Sequence, residues 1–366
     1  MDKQKVRQLA DRVKELCGQS DRQLTVMEIC GTHTVSLLRS GVKSLLGDVL
    51  RLISGPGCPV CVTSQGYIDA ACELAARQEV TICTYGDMVR VPGSHGSLEQ
   101  HKARGADVMV IYCPRDAVHY AAARSDRKVV FLAIGFETTA PATAAAIIEA
   151  ERMGLENFHV LTAHKLVIPA VSALLSGGDV AIDGLLCPGH VSTVIGADAY
   201  RPVVDKWKMP CVIAGFEPLN MLVGIAELVE QAVTGRADVA NVYGVAVSPA
   251  GNRVAQGLLS RVFAPAPAVW RAIGTIDDSG LELRPQYARF DARAELDVQI
   301  GPDHEPPGCM CGQVIQGKVA PSACSLFATA CTPVKPVGPC MVSSEGTCAA
   351  WYKYGSSITK AQVGPQ

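Results

Sequence analysis

Residues 129–141 read Val-Val-Phe-Leu-Ala-Ile-Gly-Phe-Glu-Thr-Thr-Ala-Pro, and an alanine-rich stretch follows them over 142–152. An apolar run, a glycine-led turn and a helical pattern in this order predict a buried strand that passes directly into a helix. The same order recurs along the chain. Strands are predicted at 24–29, 49–53, 80–83, 108–112, 129–134, 159–162, 184–187, 211–214 and 238–243, and helices at 3–17, 64–77, 142–152 and 219–233. This alternation is typical of an α/β protein with mostly parallel sheets.

The composition of the chain limits the classes of protein to which it can belong. It has 366 residues, a formal net charge of −2, 5% aromatic residues and 15 cysteines. The length predicts two or three domains with cores that need no disulfide bonds. The balanced charge and the few aromatic side chains argue against a nucleic-acid partner.

The expected compartment decides how the cysteines are interpreted. The first residues, Met-Asp-Lys-Gln-Lys-Val-Arg, lead into a charged amphipathic stretch without the apolar core of a secretory signal. The apolar runs are also too short to span a membrane. We therefore expect a cytoplasmic protein without a membrane partner, in which clustered cysteines indicate metal binding or thiol chemistry.

The sequence also suggests an internal repeat. At an offset of 131 residues, His33 aligns with His164, and the segment 107–112 aligns with 238–243. Several matches in one order predict two similar parallel-sheet α/β domains that flank a cleft, over residues 1–127 and 128–255. After residue 300 the chain is rich in Pro, Gly and Cys. We expect residues 256–366 to form a small irregular or helical C-terminal domain.

The first cysteine cluster follows two predicted strands. It consists of Cys30-Gly-Thr-His-Thr and Gly55-Pro-Gly-Cys-Pro-Val-Cys61. Cys58 and Cys61 form a pair that suits either a metal clamp or a redox couple, and Cys30 supplies a third thiolate from a facing loop. Burial as small apolar side chains is the alternative, and it suits the cysteines in helix or strand patterns, namely Cys17, Cys72, Cys83, Cys113 and Cys211.

Two further segments, 135–141 and 187–192, follow predicted strands in the second half. Thr138 and Thr139 precede a helix, and they suit an anion or small-ligand site and a plain N-cap equally. Glu137 is a candidate acid or base. His190 is a candidate ligand, proton carrier or structural histidine.

The third cluster lies in the tail, which holds the six cysteines Cys309, Cys311, Cys324, Cys331, Cys340 and Cys348. Four thiolates in an irregular segment suit an iron–sulfur cluster or a structural zinc ion. The wide spacings lack the paired Cys-x-x-Cys elements of a zinc ribbon and favour a [4Fe–4S] cluster. The spacing alone does not decide which four cysteines bind it.

These segments together, with the tail from Cys331-Thr-Pro-Val-Lys-Pro to Glu345-Gly-Thr-Cys348, resemble the HypD family of hydrogenase maturation factors over nearly the whole chain. The resemblance implies two similar α/β domains and a third that carries a [4Fe–4S] cluster. It assigns the essential cysteine trio to Cys30, Cys58 and Cys61, which serve iron binding and redox chemistry. It also implies that the cluster ligands are Cys309, Cys324, Cys331 and Cys348. Cys311 and Cys340 lie close to them in sequence and stay open as alternative ligands.

The family's activity implies the partners. Together with HypC and HypE, such proteins form a scaffold on which an iron ion receives two cyanides and one carbon monoxide, and this Fe(CN)2CO unit passes to the large subunit of [NiFe]-hydrogenase. We expect an assembly scaffold with redox activity rather than a simple turnover enzyme. The side chains that would orient ligands or move protons are His33, Glu137, His190 and Glu345. The alternatives are an iron–sulfur-dependent thiol–disulfide oxidoreductase resembling ferredoxin–thioredoxin reductase, and a structural zinc protein.

Overall fold

The computed structural model describes residues 3–355; residues 1–2 and 356–366, at the ends of the predicted ranges 1–127 and 256–366, lie outside this part. It contains eleven β-strands. Their bounds are β1 Leu24–Glu28, β2 Leu50–Ser54, β3 Val80–Thr84, β4 Asp107–Val110, β5 Lys128–Gly135, β6 Phe158–His164, β7 Gly184–Pro188, β8 Cys211–Ala214, β9 Val239–Asn241, β10 Phe263–Trp270 and β11 Gly274–Leu283. All nine predicted strands are confirmed as β1 to β9.

The helices alternate with these strands as predicted. Their bounds are α1 Lys3–Cys17, α2 Gly31–Arg39, α3 Val42–Leu46, α4 Pro59–Val62, α5 Gln65–Ala75, α6 Gly86–Val89, α7 Leu98–Ala103, α8 Pro114–Ala123, α9 Ala140–Arg152, α10 Val167–Gly177, α11 Gly189–Ile195, α12 Arg201–Trp207, α13 Pro218–Val233, α14 Arg253–Val262, α15 Ala292–Glu295, α16 Cys311–Ile315, α17 Pro339–Val342 and α18 Thr347–Tyr354. Short 3-10 helices cover Ala197–Tyr200, Pro285–Phe290 and Pro321–Ala323. The four predicted helices correspond to α1, α5, α9 and α13.

Two parallel sheets form the body of the protein. The first sheet has the order β2-β1-β7-β8-β9, and the second has the order β4-β3-β5-β6. In each sheet the earliest strand lies inside, the next is at the edge, and the later strands follow on the other side. The expected α/β architecture with two similar parallel-sheet domains is confirmed. In each sheet the strand order reverses next to the earliest strand, where parallel sheets usually bind ligands.

The sheets are not built from contiguous halves of the chain. The chain begins in the first sheet with β1 and β2, builds the whole second sheet from β3 to β6, and returns to the first sheet with β7. The boundary expected at 127/128 therefore does not separate the two sheets. By position in the sheets, β1 corresponds to β3 and β7 corresponds to β5. The offset of 131 residues, which pairs β1 with β6, therefore does not describe the structural repeat.

The C-terminal part combines a hairpin with an irregular tail. Strands β10 and β11 pair antiparallel, a hairpin that the sequence did not predict because Pro265 and Pro267 interrupt the strand pattern. The pairing shifts register between Ala266 and Ala268, which accommodates Pro267. Beyond the hairpin the chain forms short helices joined by turns. None of the helices within residues 3–355 is long and apolar enough to cross a membrane.

Candidate functional site

Cys30 lies where β1 passes into α2, at the carboxyl end of the first sheet. The Gly31 N–H donates to the Gly57 carbonyl at 3.1 Å, so the Cys30 loop and the Cys58 loop are in contact, as expected for neighbouring strands. A Cβ atom on Gly57 would lie 2.3 Å from the Cys30 nitrogen. Glycine at 57 is therefore what permits the two loops to approach this closely.

Cys58 and Cys61 form a disulfide bond, with Cα atoms 5.3 Å apart. Cys58 caps α4, and its sulfur accepts a hydrogen bond from the Cys61 N–H at 3.2 Å. Both side chains are buried, with exposed fractions of 5% and 0%. Of the three cysteines at these loops, Cys30 alone has a free thiol. The arrangement is a buried disulfide beside a single thiol.

A buried carboxyl group that the sequence did not single out supports Cys30. Glu28, the last residue of β1, accepts a hydrogen bond from the Cys30 N–H at 3.3 Å, and its other oxygen accepts one from the Thr34 hydroxyl. Burial raises the pKa of Glu28 to about 7 and that of the Cys30 thiol to about 12. An acidic residue at the end of an otherwise apolar strand was the available signal.

A cleft of about 380 Å³ opens beside Cys30. Its lining comes from both sheets and from the tail, and includes Cys30, Thr32, Gly57, Phe136, Thr138, Thr139, Pro188, His190 and Glu345. The Thr32 hydroxyl donates to Glu345 Oε1 at 2.7 Å, and α18 packs against α2. The structure therefore brings Cys30, His190 and Glu345 to one cavity, although they are distant in sequence.

Thr138 and Thr139 line this cleft, but the Thr139 side chain is not a helix cap. Its hydroxyl donates to the Ile134 carbonyl at 3.2 Å and makes no capping bond to α9. Thr139 does occupy the N-cap position of α9, as one of the two interpretations predicted, but its side chain makes no capping hydrogen bond. A Cβ atom on Gly135, whose φ is +137°, would lie 1.7 Å from the Thr139 oxygen, so the glycine is required for this turn.

His33 is not a lining residue of the cleft. Its Nε2 lies 3.2 Å from the carbonyl oxygens of both Ala214 and Gly215, and because carbonyls only accept, Nε2 carries the proton. Burial lowers the pKa of His33 to about 4. Its ring lies 4.9 Å from Phe216, which stacks on His190 at 4.0 Å. His33 therefore fixes the wall that carries His190.

Glu137 is also buried and is absent from the cleft lining. Its Oε1 accepts a hydrogen bond from the Val167 N–H, at the start of α10, at 2.9 Å, and its Oε2 has no hydrogen-bond partner. Burial raises the pKa of Glu137 to about 7. The carboxyl group thus stabilises the junction of β6 and α10 on the second sheet.

The tail cysteines share one small cavity beside these loops. All six of Cys309, Cys311, Cys324, Cys331, Cys340 and Cys348 line it. The Cys348 N–H donates to the Cys340 sulfur at 3.2 Å, and the Val337 N–H donates to the Cys331 sulfur at 3.3 Å. A Cβ atom on Gly338 would lie 2.8 Å from the Cys309 sulfur. Two features suit a thiolate-bound cluster: backbone N–H groups donate to the sulfur atoms, and the glycine at 338 lets the backbone lie close to the Cys309 sulfur.

Within the part of the chain that the structure describes, no three His, Cys, Asp or Glu side chains are arranged around a single point as ligands of one metal ion. The donor chemistry still fits a cluster, because six soft sulfur ligands converge on the cavity. The helix α4, which carries Cys61, packs against α16 and α17, which carry Cys311 and Cys340. The two cysteine sites are therefore neighbours.

The fold and these sites together define a class: two-sheet α/β proteins that carry a disulfide and a free thiol beside a cleft, next to a cysteine-lined cavity. Comparison with known proteins supplies the family. The HypD model, described as the hydrogenase formation hypA family, matches residues 4–355. The chain belongs to the HypD family of hydrogenase maturation factors.

Curated relatives match over nearly their whole length. The chain is similar to the hydrogenase maturation factor HypD of Escherichia coli, with 43% identity over 98% of this chain and 96% of that protein. It is similar to HypD of Azotobacter vinelandii, with 45% identity over 95% and 94% of the two chains. It is also similar to HypD of Cupriavidus necator, with 47% identity over 90% and 89%.

Proposed function

We propose that this hydrogenase maturation factor is the scaffold on which the Fe(CN)2CO unit is assembled, together with HypC and HypE. The observation that carries the proposal is the contact between the Cys30 loop and the Cys58–Cys61 loop at the cleft. Cys30 supplies a thiolate ligand for iron, which is the cargo, and a cysteine of HypC supplies another. The cleft of about 380 Å³ leaves room for the small ligands of the iron ion.

The raised pKa of Cys30 supports a metal-binding role rather than attack by a free thiolate. Burial holds the thiol protonated at neutral pH, with a pKa of about 12. A bound iron ion stabilises the thiolate and displaces the proton. The carboxyl groups of Glu28 and Glu345 lie near this thiol, and Glu345 also lines the cleft.

The cysteine pair supplies the electrons for cyanide transfer. A thiocyanate on HypE releases cyanide and a thiolate when two electrons cleave its S–C bond. In the same step the Cys58 and Cys61 thiolates lose two electrons and form a disulfide, so charge and atoms balance. The cyanide then binds iron, and each further cyanide needs a newly reduced pair.

The disulfide must be reduced again before the next transfer. The cysteine cavity is close by, because α4 packs against α16 and α17, which carry cavity cysteines. We propose that Cys309, Cys324, Cys331 and Cys348 hold a [4Fe–4S] cluster there. When bound, such a cluster delivers single electrons to a neighbouring disulfide. Cys311 and Cys340 line the same cavity and complete its wall.

The oxidoreductase alternative needs a disulfide that a protein substrate can reach. Cys61 is fully buried and Cys58 is only 5% exposed, so a disulfide on the surface of a folded protein cannot contact either sulfur. Cys30 lines the cleft, where an iron ion and its small ligands can reach it. Assembly of a small iron unit fits this burial better than reduction of protein disulfides.

The decisive experiment is anaerobic co-purification with HypC and HypE in a complete maturation background, followed by infrared spectroscopy. The wild-type complex should show the stretching bands of cyanide and carbon monoxide bound to iron. The Cys30→Ala variant should lose the cargo iron ion and these bands while it keeps its fold and the iron of the tail cluster. Cys83→Ala, which removes a buried thiol from the core of the second sheet, is the matched control and should keep both. Iron at wild-type stoichiometry in Cys30→Ala would contradict the assignment.

A further inference from the structure

Arg271 lies in the turn between β10 and β11 and is only 1% exposed. Its backbone N–H donates to the Val62 carbonyl at 2.9 Å and its Nε donates to the Thr63 carbonyl at 2.8 Å. Its Nη1 donates to Gln65 Oε1 at 2.9 Å. The arginine therefore holds the segment that directly follows Cys61.

The same turn also contacts the helix that begins at Cys311. Gln316 Nε2 donates to the Ala272 carbonyl at 3.0 Å. A Cβ atom on Gly312 would lie 2.1 Å from the Ala272 Cβ atom, so the turn and α16 are in close contact. Arg271 is thus located between the disulfide loop and the cysteine cavity.

The guanidinium group lacks a full complement of partners. Its Nη2 is buried without a hydrogen-bond acceptor, and no ion pair with a carboxylate is found for it within residues 3–355. The nearby carboxylate of Asp303 accepts backbone N–H groups of Gln65 and Ala272 instead. A buried cation without an anionic partner is unfavourable, and arginine does not lose its proton in proteins.

Two cavity cysteines and two carboxylates interact electrostatically with Arg271, namely Cys311, Cys309, Asp303 and Glu305. Burial lowers the pKa of Arg271, and the group that most strongly opposes this effect is Cys311, ahead of Asp303 and Cys309. The positive charge of Arg271 therefore lies within interaction range of the cavity thiols as well as of the Asp303 and Glu305 carboxylates.

We propose that Arg271 is the resident counter-cation of the cysteine cavity and raises the reduction potential of the cluster held there. This inference rests on the proposed cluster. An added electron makes a thiolate-bound cluster more negative, and a fixed positive charge nearby favours that reduced state. The Nη2 group has no hydrogen-bond acceptor within residues 3–355, while Nε and Nη1 hold the loop after Cys61.

Anaerobic redox titration of the full-length protein, followed by electron paramagnetic resonance, tests the proposal. Arg271→Met and Arg271→Gln remove the charge, and Gln retains a donor for the Thr63 carbonyl should the Met variant fail to fold. Both should shift the cluster midpoint to more negative potential at unchanged iron and sulfide content. Arg271→Lys keeps the charge and should stay close to the wild-type value.

Gln65→Ala is the matched control, because it removes the Nη1 partner and keeps the charge. A shift in Gln65→Ala as large as that in Arg271→Gln would overturn the electrostatic role and leave a structural one. An unchanged potential in the neutral variants would also overturn it. Wild-type protein without iron and sulfide would instead refute the cluster itself, and with it the role of Arg271.

Discussion

The Gly31 N–H donates to the Gly57 carbonyl at 3.1 Å, and this one hydrogen bond joins the loop of the free thiol to the loop of the disulfide. The Cys30 loop follows β1 and the Cys58–Cys61 loop follows β2. Because β1 and β2 are paired, the spacing of the two strands sets the distance between these two loops. The chemistry of the cleft is therefore built on rigid elements, and changes that separate the loops should disable it.

Gly57→Ala should separate them. Its Cβ atom would lie 2.3 Å from the backbone nitrogen of Cys30, and overpacking of this kind typically costs about 1–3 kcal/mol. Thermal or urea unfolding should show the lower stability of the variant. Iron analysis should show that it binds less iron. Gly257→Ala is the control, because it lies within α14 with open space around it and should stabilise the helix by about 0.5–1 kcal/mol. Equal stability of the two variants would contradict the steric argument.

Glu137 should make stability depend on pH. Burial raises its pKa from 4.5 to about 7, so the folded state keeps a proton that the unfolded state has already lost. The protonated Glu137 therefore contributes to the free energy of unfolding fully below pH 4.5. As the pH rises to about 7, this contribution is lost and the free energy of unfolding falls by about 3 kcal/mol. Urea unfolding between pH 4.5 and 8 should show a flatter profile for Glu137→Gln. The exposed Glu156→Gln control should follow the wild-type profile.

His33 should remain neutral in the range where histidines usually titrate. Burial lowers its pKa to about 4, and its Nε2 proton is held between two carbonyl oxygens. Nitrogen-15 NMR of the imidazole at pH 6 should show the neutral form with the proton on Nε2. A titration midpoint near 6.5 would instead support His33 as a proton carrier.

The tail cysteines should divide into two groups under single Cys→Ser substitution. Loss of Cys309, Cys324, Cys331 or Cys348 should remove the iron and sulfide of the reconstituted protein, because each is a proposed ligand. Cys311→Ser and Cys340→Ser should retain them, since these side chains only complete the cavity wall. Iron and sulfide analysis after anaerobic reconstitution checks this division. Loss of the cluster in Cys311→Ser or Cys340→Ser would reassign a ligand.

The strands and helices could be predicted where the hydrophobic periodicity is strong. The order of the strands within the two sheets could not. Nine strands were predicted because their apolar runs are separated by turn residues and helices. The sheet order escaped because all parallel strands carry similar apolar runs, so an offset of 131 residues aligned strands that are not equivalent in space. The hairpin was missed because Pro265 and Pro267 interrupt β10, and Arg271 was missed with it.

The site residues follow the same division. The cysteine loops were predicted, since thiols in Gly and Pro turns have little value for packing. The role of His33 was not, because only the fold places the carbonyls of Ala214 and Gly215 around its ring. Glu28 was missed although an acid at the end of an apolar strand was a signal, because only the fold shows its contacts with Cys30 and Thr34.

The return of the chain to the first sheet has a consequence for synthesis on the ribosome. The strands β1 and β2 emerge early, but β1 obtains its second neighbour only when β7 follows the complete second sheet. His190 and the carbonyls that hold His33 arrive later still, and Glu345 is added near the end. During vectorial synthesis the nascent chain therefore presents Cys30, Cys58 and Cys61 before their pocket exists, and the pocket closes only once almost the whole chain has been translated.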